Sequence, residues 1–131
     1  MKFVDTSFWI ALLSEEDRNY AAAQALVGDG PGPLLTTNQV LGETWTLIRR
    51  RFGHERAVAC VRAVRAVPTL SILHVDPALE DDAWRWLRRR DEREYSFVDA
   101  TSFAVMRRRR MREVLAFDGD FSAAGFVELR P

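Results

Sequence analysis

The chain has 131 residues, 47% of them hydrophobic and 29% charged, and its 19 basic and 19 acidic side chains give a formal net charge of zero. That length supports one full core, so residues 1–131 are expected to form a single domain, and the composition excludes a wholly disordered chain. Zero net charge excludes an overall basic field as the means of attracting a polyanion.

Met1–Val4 predicts a strand whose apolar Phe3 and Val4 are stopped by Asp5, Thr6 and Ser7. Phe8, Trp9, Ile10, Leu12 and Leu13 then follow at helical spacing. After an acidic turn at Ser14–Asp17, Tyr20–Val27 reads as a second helix, closed by the breakers Gly28 to Pro33. Leu34–Thr37 predicts a second strand, and Asn38 a cap for a helix over Gln39–Phe52. Gly53 ends that helix, and His54–Val67 forms another before Pro68. Cys60, the single cysteine, reads there as a small buried apolar side chain. It excludes an internal disulfide or a cysteine-rich metal site, and suits a reducing compartment.

Ser71–Val75 predicts a third strand, and Asp76-Pro77 opens a helix running to about Arg90. A long helix is expected over Ser96–Met111 and a fourth strand over Val114–Phe117. Asp118-Gly119-Asp120, a helical turn through Ala124 and a last strand, Phe126–Leu129, complete the chain. Short apolar strands alternating with helices define an α/β protein with a parallel sheet covered on both faces. No apolar stretch approaches a membrane span and no cleavable leader is evident, so a cytoplasmic protein without membrane contact is expected.

Four carboxylates resist a purely structural account. Asp5 ends the first strand; on its own stretch it reads first as the N-cap of the following helix. Glu43 lies three residues after Val40 and four before Leu47, on the apolar face of its helix and beyond the first turn, so it needs a partner. A buried ion pair with an arginine is one answer. Asp99 completes a Ser96-x-x-Asp99 capping box, yet Phe103 and Met106 at i+4 and i+7 place it on an inward face. Asp118 mirrors Asp5 at the end of the fourth strand, with an Asp-Gly turn as its structural reading, and Asp120 is a candidate cap. If the sheet gathers these groups, they repel unless protonated or joined by a cation. An all-oxygen donor set selects a hard ion, Mg²⁺ or Mn²⁺, suited to activating water at a phosphodiester.

The stretches Phe3–Trp9, Thr37–Glu43, Ser96–Ala100 and Leu115–Phe121 together resemble the four acidic motifs of PIN-domain ribonucleases, and the short chain resembles the VapC-like toxins of bacterial toxin–antitoxin pairs. The resemblance covers nearly the whole chain. It implies a three-layer α/β/α sandwich with strand order 3-2-1-4-5, and endonucleolytic cleavage of RNA dependent on Mg²⁺ or Mn²⁺. It also implies neutralisation by a cognate antitoxin, with homodimers assembling into a larger complex. Carried onto this chain, Asp5, Glu43, Asp99 and Asp118 are the catalytic quartet. Asp5 and Asp99 are the main metal ligands, Asp118 binds directly or through water, and Glu43 positions or deprotonates the attacking water. Thr6 or Ser7 hydrogen-bonds to the site, and Asp120 is a secondary candidate. Two positions depart from the family pattern. Ala116 stands where relatives often carry Thr, and Arg107 to Met111 run through where relatives often carry a helix-ending Gly.

Other readings of the same residues are open. Asp5 could be the nucleophile of an aspartyl-phosphate phosphotransferase or hydrolase, although Lys2 is the only lysine and sits inside the first strand. A non-catalytic RNA-binding module on the same fold is the other alternative. His54 and His74 belong to no motif and read as structural. With no overall basic field, RNA attraction falls to the metal ions and to clusters among Arg49–Arg51, Arg88–Arg90 and especially Arg107, Arg108, Arg109 and Arg110. Phe8, Trp9, Trp45 and Leu47 are read mainly as core, with some left for a dimer or antitoxin surface.

Overall fold

The computed structural model describes residues 1–131 as five strands and seven helices. The strands are β1 (Lys2–Val4), β2 (Leu34–Thr37), β3 (Leu70–Leu73), β4 (Glu113–Leu115) and β5 (Val127–Glu128). The helices are α1 (Thr6–Leu13), α2 (Tyr20–Val27), α3 (Asn38–Phe52), α4 (His54–Arg65), α5 (Pro77–Leu87), α6 (Phe97–Arg108) and α7 (Asp120–Ala123). All strand pairs are parallel and the order is β3-β2-β1-β4-β5, the arrangement the resemblance implies.

Burial shows how the layers close. Successive residues of a strand face opposite sides of the sheet. Phe3, Val4, Leu34, Leu35, Thr36, Thr37, Val114 and Leu115 are all buried, so both faces of the three central strands are covered. Helices α3 and α4 pack together, as do α5 and α6, while α1 packs against α2 and α3. The parallel register pairs Phe3 with Val114 and Val4 with Leu115, and the Asp5 N–H donates to the Leu115 carbonyl at 3.1 Å. The ends of β1 and β4 therefore lie side by side where the winding direction reverses, the crevice in which open α/β sheets bind ligands.

Several predicted boundaries shift for identifiable reasons. The cap of α3 is Thr37, whose side chain accepts from the Val40 N–H; Asn38 instead accepts the Val75 N–H at 2.8 Å, tying α3 to the segment after β3. The fourth strand stops at Leu115 rather than Phe117, because the Phe117 N–H turns to the Ser7 hydroxyl at 3.0 Å. The predicted run of α6 to Met111 also fails. Arg110 takes φ of 56°, the Met111 N–H donates to the Met106 carbonyl at 2.8 Å, and the Arg110 N–H donates to Arg107 at 3.1 Å. These two bonds are the Schellman ending of a helix, with an arginine where glycine is usual.

An L-residue in that conformation carries a steric penalty of about 1–2 kcal/mol, partly offset by the extra entropy glycine has in the unfolded chain. Arg110→Gly is therefore expected to raise stability in urea unfolding by about 0.5–1 kcal/mol. A less stable variant would contradict this account of the helix end.

Candidate active site

Asp5 follows the last residue of β1 and is only 2% exposed. It caps α1: its Oδ2 accepts the Ser7 N–H at 3.2 Å and the Ser7 hydroxyl at 2.8 Å. Because the same hydroxyl accepts from the Phe117 N–H, Ser7 joins the ends of β1 and β4. Thr6 takes no part in this. It donates to the Val40 carbonyl and accepts from the Thr44 hydroxyl, both at 3.3 Å, fastening α1 to α3.

Asp99 enters from the first turn of α6 and is 6% exposed. The predicted capping box is complete: the Ser96 hydroxyl accepts the Asp99 N–H, and Asp99 Oδ2 accepts the Ser96 N–H, each at 3.0 Å. Asp118 stands at the solvent side of the crevice, and its Oδ1 accepts the Asp120 N–H at 3.1 Å. One carboxylate oxygen from each of Asp5, Asp99 and Asp118 falls within 4.8 Å of the others, and no basic side chain pairs with any of the three.

The cost of that proximity appears in the acidities. Burial pushes the Asp5 carboxyl well above the ordinary range, and the charges of Asp118 and Asp99 add to it against the two Ser7 donors. Burial likewise raises Asp99, to about 7, opposed by the Ser96 N–H and reinforced by Asp120 and Asp118. Asp118 is raised by partial desolvation first, then by Asp120 and Glu128, against the Asp120 N–H. Because Asp118 is open to water, screening weakens its share, and the two buried groups dominate the pH response. Carboxylates sharing a desolvated site favour protons or a cation, and an all-oxygen donor set of this size suits a hard divalent ion.

The three acids line a cavity of about 720 Å³ together with Glu43, Asp120, Arg18 and Arg51. Glu43 is the main correction to the sequence reading. It is half-buried, has no arginine partner, and lies outside the close group of three. The apolar face of α3 borders the open cavity at that point, so a water-facing carboxylate needs no ion pair. Asp120 is also not the cap of α7. Its carboxylate receives Arg93 Nε at 2.7 Å, while Arg93 Nη2 donates to the Asp118 carbonyl at 3.2 Å.

The capping role falls to Glu128, whose side chain is 1% exposed and accepts the N–H groups of Gly119 at 3.3 Å and Ser122 at 2.9 Å. Arg130 completes that carboxylate's contacts at 3.1 Å. Neither Arg93 nor Glu128 was legible as a support of the site, because nothing in their local sequence marks such long-range bonds. The Arg107–Arg110 run is not at the cavity either. Arg107 and Arg108 line a groove with α5, whereas Arg109 and Arg110 line a depression with Met1 and Val127 near the starts of β1 and β5.

A parallel sheet in this order with acids converging at its reversal point defines the class of fold. The PIN-domain model matches residues 2–127, and the chain belongs to the PIN-domain family. Within that family it is similar to the 23S rRNA-specific endonuclease VapC20 from two strains of Mycobacterium tuberculosis, 56% identical over 131 residues that cover 100% of this chain and 99% of each relative. The crystal structure of Mycobacterium tuberculosis VapC20, a sarcin-ricin loop cleaving toxin, matches with a TM-score of 0.94 and covers 100% of both chains.

The raised pKa of Asp99 makes stability depend on pH. Between the ordinary aspartate value of 3.8 and about 7, the native protein holds the Asp99 proton that the unfolded chain has released. The contribution of Asp99 to stability is therefore greatest at low pH and is lost as pH rises through that window. In chelator, Asp99→Asn is expected to melt close to wild type at the acid end and above it at the neutral end. Parallel melting profiles for the two proteins would contradict the assigned burial and repulsion.

Proposed function

We propose that this chain is a divalent-metal-dependent endoribonuclease, the toxin of a toxin–antitoxin pair, acting in the cytoplasm as a single PIN domain over residues 1–131. The observation that carries the reading is the group of three unpaired carboxylates within 4.8 Å at the end of the central strands. The 56% identity to VapC20 over the full chain supports 23S rRNA as the substrate and its sarcin-ricin loop as the cleaved element. Pairing with an antitoxin and homodimer formation rest on the likeness to the VapC toxins; a short neighbouring gene for a small DNA-binding protein would add support.

A bound Mg²⁺ or Mn²⁺ supplies Lewis-acid polarisation of the phosphodiester and a more acidic water. Asp5 and Asp99 would hold it, and Asp118 would contribute directly or through water. Glu43, across the cavity, orients the attacking water and accepts its proton. Ser7 fixes the Asp5 carboxylate against rotation, and Arg93 keeps Asp120 from joining the ligand set. The aspartyl-phosphate alternative lacks a cation where it needs one. Lys2 lies at the start of β1 with its Nζ 3.5 Å from the Pro31 carbonyl, and no lysine lines the cavity.

Purified protein is expected to cleave a 23S rRNA fragment with Mg²⁺ or Mn²⁺, and Asp5→Asn or Asp99→Asn to lower the rate by about 100-fold or more. Equal cleavage by all three proteins would reject the assignment, and radiolabelled phosphate retained on Asp5 would favour the aspartyl-phosphate chemistry. Glu43→Gln separates the roles further. It is expected to lower kcat by about 100-fold, the scale of general-base catalysis, while calorimetric Mn²⁺ affinity stays near wild type. A matching loss of Mn²⁺ affinity would make Glu43 a ligand instead.

A further inference from the structure

We propose that the groove between α5 and α6 is a second site, which grips the phosphodiester backbone of the RNA away from the scissile bond through Arg90 and Arg107 on the face of Trp86, with Arg89 beside them. This rests on the ribonuclease reading above. The groove encloses about 490 Å³ and is lined by five arginines, with Asp82 as its only acid. Asp82 is already shared, receiving Arg85 and Arg108, the latter at 2.7 Å. Arg89, Arg90 and Arg107 make no ion pair.

Two of these unpaired guanidiniums converge on one ring. The Arg90 and Arg107 Cζ atoms lie 5.2 and 5.4 Å from the Trp86 ring centroid. Each gains from the indole face, but together they place like charges on one platform. Arg107 records the strain: burial first, and then the Arg90 charge, lowers its pKa against the opposing pull of Asp82. An anion entering the groove relieves that repulsion, and guanidinium forks match phosphate oxygens two at a time.

The position favours RNA over an acidic peptide. Trp86 packs edge-on against Tyr95 at 4.8 Å, and Tyr95 precedes the Ser96 cap of α6. Asp99 and Arg107 lie on the same helix, about 12 Å apart along its axis at 1.5 Å per residue. A nucleic-acid strand advancing about 3.4 Å per residue covers that distance in about four nucleotides. The indole and guanidinium planes also provide stacking surfaces for bases, which a peptide of carboxylates would not use. In a chain of zero net charge, such a local basic wall is the means by which a polyanion is held beside an acidic centre.

The test compares binding of a fluorescein-labelled 23S rRNA stem-loop, in chelator so that no cleavage occurs, across a KCl titration. Arg90→Gln/Arg107→Gln is expected to bind about tenfold more weakly at low salt, with the slope of log affinity against log salt reduced by about 1.5. Arg62→Gln/Arg65→Gln, which removes the same charge from α4, is expected to stay near wild type. An unchanged slope in the first variant, or an equal drop in the second, overturns the proposal. So does groove-dependent binding of labelled polyglutamate with unaltered RNA affinity, which would make the groove a protein-docking surface. If the Gln pair misfolds by circular dichroism, Arg90→Lys/Arg107→Lys decides. Weaker binding with the slope kept supports a guanidinium–phosphate grip, and wild-type affinity overturns it. Cleavage by wild type with Mn²⁺ is measured in parallel. A nuclease that binds independently of the groove refutes only this site, whereas RNA binding with no cleavage refutes the activity.

Discussion

Three carboxylates, two of them buried and the third open to water, meet at one edge of the cavity, and their mutual repulsion is the constraint around which the rest of the site is built. The protein holds each of them by one oxygen. Ser7 takes one oxygen of Asp5, the Ser96 N–H one of Asp99, and the Asp120 N–H one of Asp118. One oxygen of each lies within 4.8 Å of the others. Donors fix direction without neutralising charge, so the site keeps its appetite for a cation. Had arginines supplied the anchors, the same acids would have formed ordinary ion pairs, as Asp120 does with Arg93.

The support beneath that arrangement comes from distant parts of the chain. The Ser7 hydroxyl spans two strands, and Glu128 stabilises the turn after Asp118 from the last strand of the sheet. Arg130 then returns to donate to the Ala116 carbonyl at 2.9 Å, while its guanidinium lies 5.3 Å from the Phe117 ring centroid. The acidic edge is thus braced by the two ends of the sequence, whose strands β1 and β5 flank β4 on either side.

How much of this was legible depended on whether the signal was local. Strand-ending acids and a Ser-x-x-Asp box are read within a few residues, so Asp5, Asp99 and Asp118 could be found from pattern alone. The fold class followed from short apolar strands alternating with helices. Glu43 was placed on the right face of its helix, but periodicity cannot say whether that face meets core or cavity. Thr6 and Ser7 were indistinguishable in sequence, and only the direction of each hydroxyl separates the fastener of α1 and α3 from the holder of Asp5. The arginine run reads as one cluster in the sequence, but an unmarked helix end divides it. Arg110 bends the backbone as glycine would, and Arg107 and Arg108 go to one surface while Arg109 and Arg110 go to another.

Asp5 and Asp99 each serve two purposes with one side chain: Asp5 caps α1, Asp99 closes the capping box of α6 from its third position, and both belong to the acidic group. Asparagine accepts the same backbone N–H and ranks with aspartate at helix starts, but it carries no charge. A single nucleotide change converts either codon. The charge of the acidic group is therefore one mutation from loss, while the architecture around it is left standing. A lineage that loses the need for the activity can retain the folded body for other uses.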